Sequence, residues 1–147
     1  MRKSLPVTVA LTFLAACGSP FDAPSSRPGT IFYDHEEGLA IEVPDSARAR
    51  HAFDISVTTS GDGCVSFGGT EVQVTQRTVD FRPFDLHNGE DLCFSIQNLF
   101  EHRASVQFNE PGHVAVRIHG QFRIHPIDGG ETQMGDTVIV RSVEVHF

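Results

Sequence analysis

ASVQFNEPGHVAVRIHGQFRIH, residues 104–125, is the stretch on which the fold class turns. Ala104, Val106 and Phe108 alternate with Ser105 and Gln107. Val114, Val116, Ile118, Phe122 and Ile124 then share one parity, and His113, Arg117, His119, Gln121, Arg123 and His125 share the other. Successive side chains of a strand point to opposite faces, so a period of two marks a strand with one buried face. Between the two runs, Glu110-Pro111-Gly112-His113 puts proline and glycine at the positions of a type II turn. The pattern predicts two antiparallel strands joined as a hairpin. Gly120 falls on the inward parity and predicts a bend or a close backbone approach.

The same period recurs along the chain. Leu39, Ile41 and Val43 alternate with Ala40 and Glu42. Phe53, Ile55 and Val57 alternate with Asp54, Ser56 and Thr58. Gly61-Asp62-Gly63 marks a turn before Cys64, Val65 and Phe67, and shorter alternations follow at Val72/Val74, Val79/Phe81 and Leu92/Phe94/Ile96. Val138 and Val140 sit on one parity, Val143, Val145 and Phe147 on the other, so a β-bulge is expected at Arg141-Ser142. A loop rich in turn residues is expected from Asp128 to Asp136. Asp45 to Arg50 is the one stretch that fits a short helical turn. Many short strands separated by turn signals predict an all-β, antiparallel sandwich over 31–147.

The N-terminus reads differently. Arg2 and Lys3 precede an uncharged, mainly apolar stretch from Leu5 to Leu14. That is about ten residues, where a membrane-spanning helix needs roughly 20. It reads as the apolar region of a signal peptide, residues 1–16. Leu14-Ala15-Ala16-Cys17 resembles the lipobox of bacterial lipoproteins. The resemblance implies cleavage before Cys17, diacylglycerol on its thiol and often acylation of the new amino group. Gly18 in place of aspartate favours the outer membrane. The Pro-, Ser- and Gly-rich segment 17–30 reads as the lipidated cysteine and a flexible tether.

Cleavage leaves nine basic residues against nineteen acidic ones, because Arg2 and Lys3 are lost from a total of eleven. The mature net charge is then −10, with no lysine remaining. Such a domain repels nucleic acid and anionic headgroups. With Cys17 assigned to the anchor, Cys64 and Cys93 remain as a pair. In an exported chain such a pair is expected to form a structural disulfide.

The stretch from Phe53 to Gly120 resembles small uncharacterised bacterial lipoprotein domains with an immunoglobulin-like sandwich. The features are Gly61, Gly63 and Cys64 after a strand, Glu71 to Val74, Pro83-Phe84-Asp85, Cys93, and Val114 to Gly120 behind a Pro-Gly turn. The resemblance implies a fold and a compartment, with no catalytic residues to carry over.

Chemistry is sparse. The chain has eight histidines but no His-x-His, the spacing that places two ligands about 7 Å apart on one strand face. His113, His119 and His125 are separated by about 20 Å from one to the next. A cross-strand zinc or copper site at His119 and His146, near Glu144 and Arg117, is the remaining metal reading. The acidic groups at Asp34/Glu36/Glu37, Asp85/Glu90/Asp91 and Asp128/Glu131/Asp136 match no calcium-loop spacing. No nucleophile elbow, zinc-protease helix or phosphate loop occurs. With no tryptophan and one tyrosine, stacking on carbohydrate is not expected; Phe21, Phe32 and Phe100 fall outside the inward parity. The expected function is a non-enzymatic envelope lipoprotein with no cofactor. It would be held in the membrane by its N-terminal lipid, at the periplasmic face of the outer membrane or the cell surface, and act as a structural or protein-interaction module.

Overall fold

The computed structural model of the chain describes residues 23–34, 36–124 and 133–147. The expected signal peptide, Cys17, Phe21, His35, His125 and residues 128–132 of the expected loop fall outside them, whereas Gln133 to Asp136, expected in that loop, belong to the last strand. Among the described residues eleven strands run in order: β1 (Ser25–Pro28), β2 (Tyr33–Asp34), β3 (Gly38–Leu39), β4 (Ile41–Glu42), β5 (Ser46–Arg48) and β6 (Ala52–Gly61), then β7 (Val65–Val74), β8 (Thr78–His87), β9 (Asn98–Gln107), β10 (Gly112–Ile124) and β11 (Gln133–His146). Among the described residues there is no helix, and none long and apolar enough to cross a membrane.

The strands form two principal sheets. The large one has the order β1-β8-β10-β11-β5, with β7 on the other edge of β8; the small one is β4-β6-β9. They enclose one core. Ile55 and Val57 of β6 and Val106 of β9 meet Val79 and Phe81 of β8, Val114, Val116 and Ile118 of β10, and Val143 and Val145 of β11. The inward parity read in the sequence is thus the buried parity at β6, β8, β9 and β10. Leu39, Ile41 and Val43 also pack against this core.

The hairpin expected at Glu110 to His113 does not form. Gly112 does adopt a positive φ of 131°, but β9 pairs with β6 while β10 pairs with β8 and β11. The turn therefore carries the chain from one sheet to the other, a step of about 10 Å between packed sheets. The detour also reverses the chain twice between β8 and β10, so these neighbours run parallel. The large sheet is mixed rather than antiparallel throughout, since β5 and β11 are parallel as well. That last pairing replaces the helical turn expected near Asp45.

The N-terminal strand begins earlier than the composition suggests. Ser25–Pro28, expected within the tether, pairs with Phe84–His87 of β8. The chain then wedges between β8 and β10. Gly29 N–H donates to Pro83 O, Gln121 N–H to Gly29 O, and Ile31 N–H to Gln121 O. It then reaches the small sheet, where Ser60 N–H donates to Thr30 O. This passage needs Gly120: a Cβ there would lie 2.8 Å from Ile31 Cγ1 and 2.9 Å from Gly29 O. The close approach expected at Gly120 is made by the first segment of the domain.

No bulge interrupts β11. Its register with β10 is continuous over thirteen residue pairs, Gly112↔Val145 to Ile124↔Gln133. Val138 and Val140 instead lie on the outer face, 51% and 57% exposed. An unbroken ladder keeps every backbone group of the pair satisfied, and this outweighs the exposure of two valines.

Candidate functional site

Three groups of chemically capable side chains emerge among the described residues, and the fold keeps them apart. The first is at the end of the large sheet where β8 finishes. Cys64 and Cys93 are joined there, with S–S 2.01 Å and Cα–Cα 5.2 Å. His87 lies beside them, its Nε2 3.9 Å from Cys93 Sγ, and its Nδ1 accepts from Gly89 N–H at 3.1 Å. One potential ligand atom from each of Cys64, His87 and Cys93 lies within 4.8 Å of the others. Metals bind thiolates, and a closed disulfide offers none. The group is a staple with a histidine beside it.

The staple holds residues 88–97 across the end of the domain. The sequence predicts a strand here with Leu92, Phe94 and Ile96 inward. The structure corrects this: the segment is not in a ladder, and the three side chains are 90%, 81% and 55% exposed. Its backbone is fastened by Gly63 N–H donating to Phe94 O at 3.0 Å. A Cβ on Gly63 would lie 2.9 Å from Phe94 Cβ, so glycine lets the segment lie close. The disulfide and this contact fix the segment across the end of the domain with these three side chains outward.

The second group lies on the outer face of the large sheet. His119 of β10 reaches across to Asp80 of β8, Nε2 to Oδ1 2.7 Å. The hydrogen bond from His119 holds the Asp80 carboxyl below its ordinary range, helped by the charges of His119, Arg82 and Arg117 against a smaller opposing effect of burial. A neighbouring groove of about 340 Å³ is lined by Pro28, Arg82, Phe84, His119, Asp136 and Val138, among others. With Nε2 engaged by Asp80, His119 has one ring nitrogen left to offer. His146 does not join it. His119 is opposite Val138, eight residues before His146, a distance of roughly 26 Å at about 3.3 Å per residue. The cross-strand site expected at His119 and His146 is therefore not assembled, and Glu144 faces His113 instead of Arg117. His146 Nε2 stands 3.9 Å from Glu144 Oε2, both side chains 55% exposed.

The third group was not singled out in the sequence. His102 of β9, Thr59 of β6 and Asp85 of β8 are buried between the sheets, at 0%, 0% and 1% exposure. Thr59 Oγ1–H donates to Asp85 Oδ1 at 3.1 Å, and His102 Nε2 lies 3.0 Å from Thr59 Oγ1 and 3.3 Å from Asp85 Oδ1. His102 Nδ1–H donates to Gly69 O at 3.0 Å, with Thr70 Oγ1 also at 3.0 Å. The ring packs on Phe67, centroids 4.8 Å apart. Asp85 Oδ2 is buried with no hydrogen-bond partner. Acid, base and hydroxyl are in contact here as in a catalytic triad, but a group that is wholly covered cannot touch a substrate. The network ties β6, β7, β8 and β9 together. One sequence signal could have found it: His102 is at the same parity as Ala104 and Val106, and Asp85 at the same parity as Val79 and Phe81.

The acidic group at Asp34, Glu36 and Glu37 forms a turn. Asp34 Oδ1 accepts from the backbone N–H groups of Glu36 and Glu37. No family model, curated protein or solved structure matches the chain.

Proposed function

We propose that the chain is a non-enzymatic lipoprotein of the cell envelope, anchored through Cys17, whose domain serves as a structural or protein-interaction module. The observation that carries this is Leu14-Ala15-Ala16-Cys17 behind a basic start and a ten-residue apolar stretch from Leu5 to Leu14. The Cys64–Cys93 disulfide supports the export half of the reading, since such bridges persist in oxidising compartments. The disulfide closes the Cys64–Cys93 pair and His102, Thr59 and Asp85 are wholly buried, which supports a structural role for those two groups. We read the two sheets as an immunoglobulin-like sandwich. The shared core and the passage of the chain between sheets after β8 and β9 support this, with the parallel β8–β10 pair as a departure from the antiparallel form.

Mass spectrometry of the mature protein tests the anchor. A peptide beginning at Cys17 and carrying diacylglycerol is the expected result. An unmodified Cys17, or cleavage elsewhere, would sink the reading.

A further inference from the structure

We propose that the exposed apolar segment around Leu92, Phe94 and Ile96 is a bilayer-docking surface, which seats this end of the domain in the lipid that holds the anchor. The proposal rests on the lipid-anchor reading for its geometry and adds a site to it. Three observations converge.

The first is the surface itself. Leu92, Phe94 and Ile96 are exposed together, and Leu86 and Leu99 at the same end add 39% and 52% exposure. Soluble domains rarely leave three large apolar side chains of one short segment this exposed without use. They also sit on a braced segment, held by the disulfide and by the Gly63–Phe94 hydrogen bond. A rigid apolar projection enters a membrane interface with little ordering cost.

The second is where the chain enters the domain. Ser25 is paired with His87. On the other edge of β8, His87 is opposite Val65, next to Cys64 and its partner Cys93. Neighbouring strands are about 4.8 Å apart, so Ser25 and Cys93 lie roughly 15 Å from each other. Eight residue steps separate Cys17 from Ser25, and they span at most about 28 Å. A lipid on Cys17 therefore keeps this end of the domain within about 28 Å of the bilayer. The opposite end, with the turn at Gln76, is roughly 30 Å further along β8.

The third is charge. Glu90 and Asp91 flank the segment, and the mature chain has a net charge of −10 after loss of Arg2 and Lys3. Attraction to anionic lipid cannot drive the contact. What remains is burial of apolar side chains about 5–10 Å into the boundary between headgroups and acyl chains. The occupant is thus a zwitterionic leaflet.

The absence of tryptophan makes the test direct. Phe94→Trp and, as the control, Gln76→Trp each place a single indole in the full chain. Both are reconstituted in vesicles of phosphatidylcholine brominated on the acyl chains, and Cys17 is weighed by mass spectrometry in the same samples. Docking predicts that Phe94→Trp emission shifts to the blue and is strongly quenched, while Gln76→Trp stays in water and unquenched. Quenching of neither, or of both equally, overturns docking. A blue shift of Phe94→Trp that depends on protein concentration without lipid also overturns it, because a second copy then covers the segment. An acylated Cys17 with unquenched Phe94→Trp removes docking and leaves the anchor. A quenched Phe94→Trp on an unacylated chain removes the anchor and leaves docking.

Discussion

Single residues explain where this fold tolerates no change. Gly120 is required by the backbone of Gly29 and the side chain of Ile31. Gly120→Ala should cost about 1–3 kcal/mol through overpacking, read as a lower denaturant midpoint with an unchanged slope. The His102–Asp85 pair is another such point. Asp85→Ala leaves Thr59 Oγ1–H and His102 Nε2 without their buried acceptor, and the expected loss is about 1–3 kcal/mol in the same measurement. A Thr59→Val chain loses one hydroxyl link and should fall by only about 1–1.5 kcal/mol. Asp80 carries a pH signature. Because its carboxyl is held low by His119, it contributes stability that is complete above about pH 4, the ordinary aspartate value, and fades as pH falls through the lower folded value. In His119→Ala, carbon-13 NMR should show the Asp80 midpoint moving up toward the ordinary value. The stability gap between the two chains should close at acid pH; a gap that widened there would refute the assignment.

At the scale of elements, the disulfide is the device with the largest consequence. It closes a loop with a sequence separation of 29, and a loop of that size is worth about 3–4 kcal/mol in the chain-entropy account. Cys64→Ala/Cys93→Ala should lose that amount by chemical denaturation, and reduced wild type should match it. The same staple holds residues 88–97 outward, so the double variant should also expose Gly63 N–H to faster hydrogen exchange. The period of two makes β6, β8, β9 and β10 legible in the residue order, down to which parity is buried. It fails at Leu92 to Ile96, where the alternation is as clean as in any strand. Alternation states which side chains share a face, not whether a sheet has room for another strand. β1 fails in the opposite sense: Ser-Ser-Arg-Pro has no strand signal, and it is ordered by the open edge that β8 offers where β10 diverges.

Across the whole molecule, attachment and fold are separable. The mature chain proposed above, with a net charge of −10 after loss of Arg2 and Lys3, gains nothing from an acidic surface at a membrane. High-salt washing should therefore leave the protein in the membrane fraction, whereas Cys17→Ser should release it to the soluble fraction with its disulfide intact. Immunoblotting of the two fractions decides this. Retention of the Cys17→Ser chain after salt washing would place the hold elsewhere in the molecule.

The amino-acid order alone carried the all-β class, the buried parity of the main strands, the pairing of Cys64 with Cys93 and the close approach at Gly120. These depend on neighbours along the chain, or on a count of cysteines, and both can be read in one dimension. Only the tertiary structure decided which sheet each strand joins, that β8 and β10 run parallel, that His119 and His146 stay far apart, and that Leu92, Phe94 and Ile96 face outward. Those outcomes follow from competition for sheet edges and core space among segments distant in sequence. No local pattern contains the result of that competition.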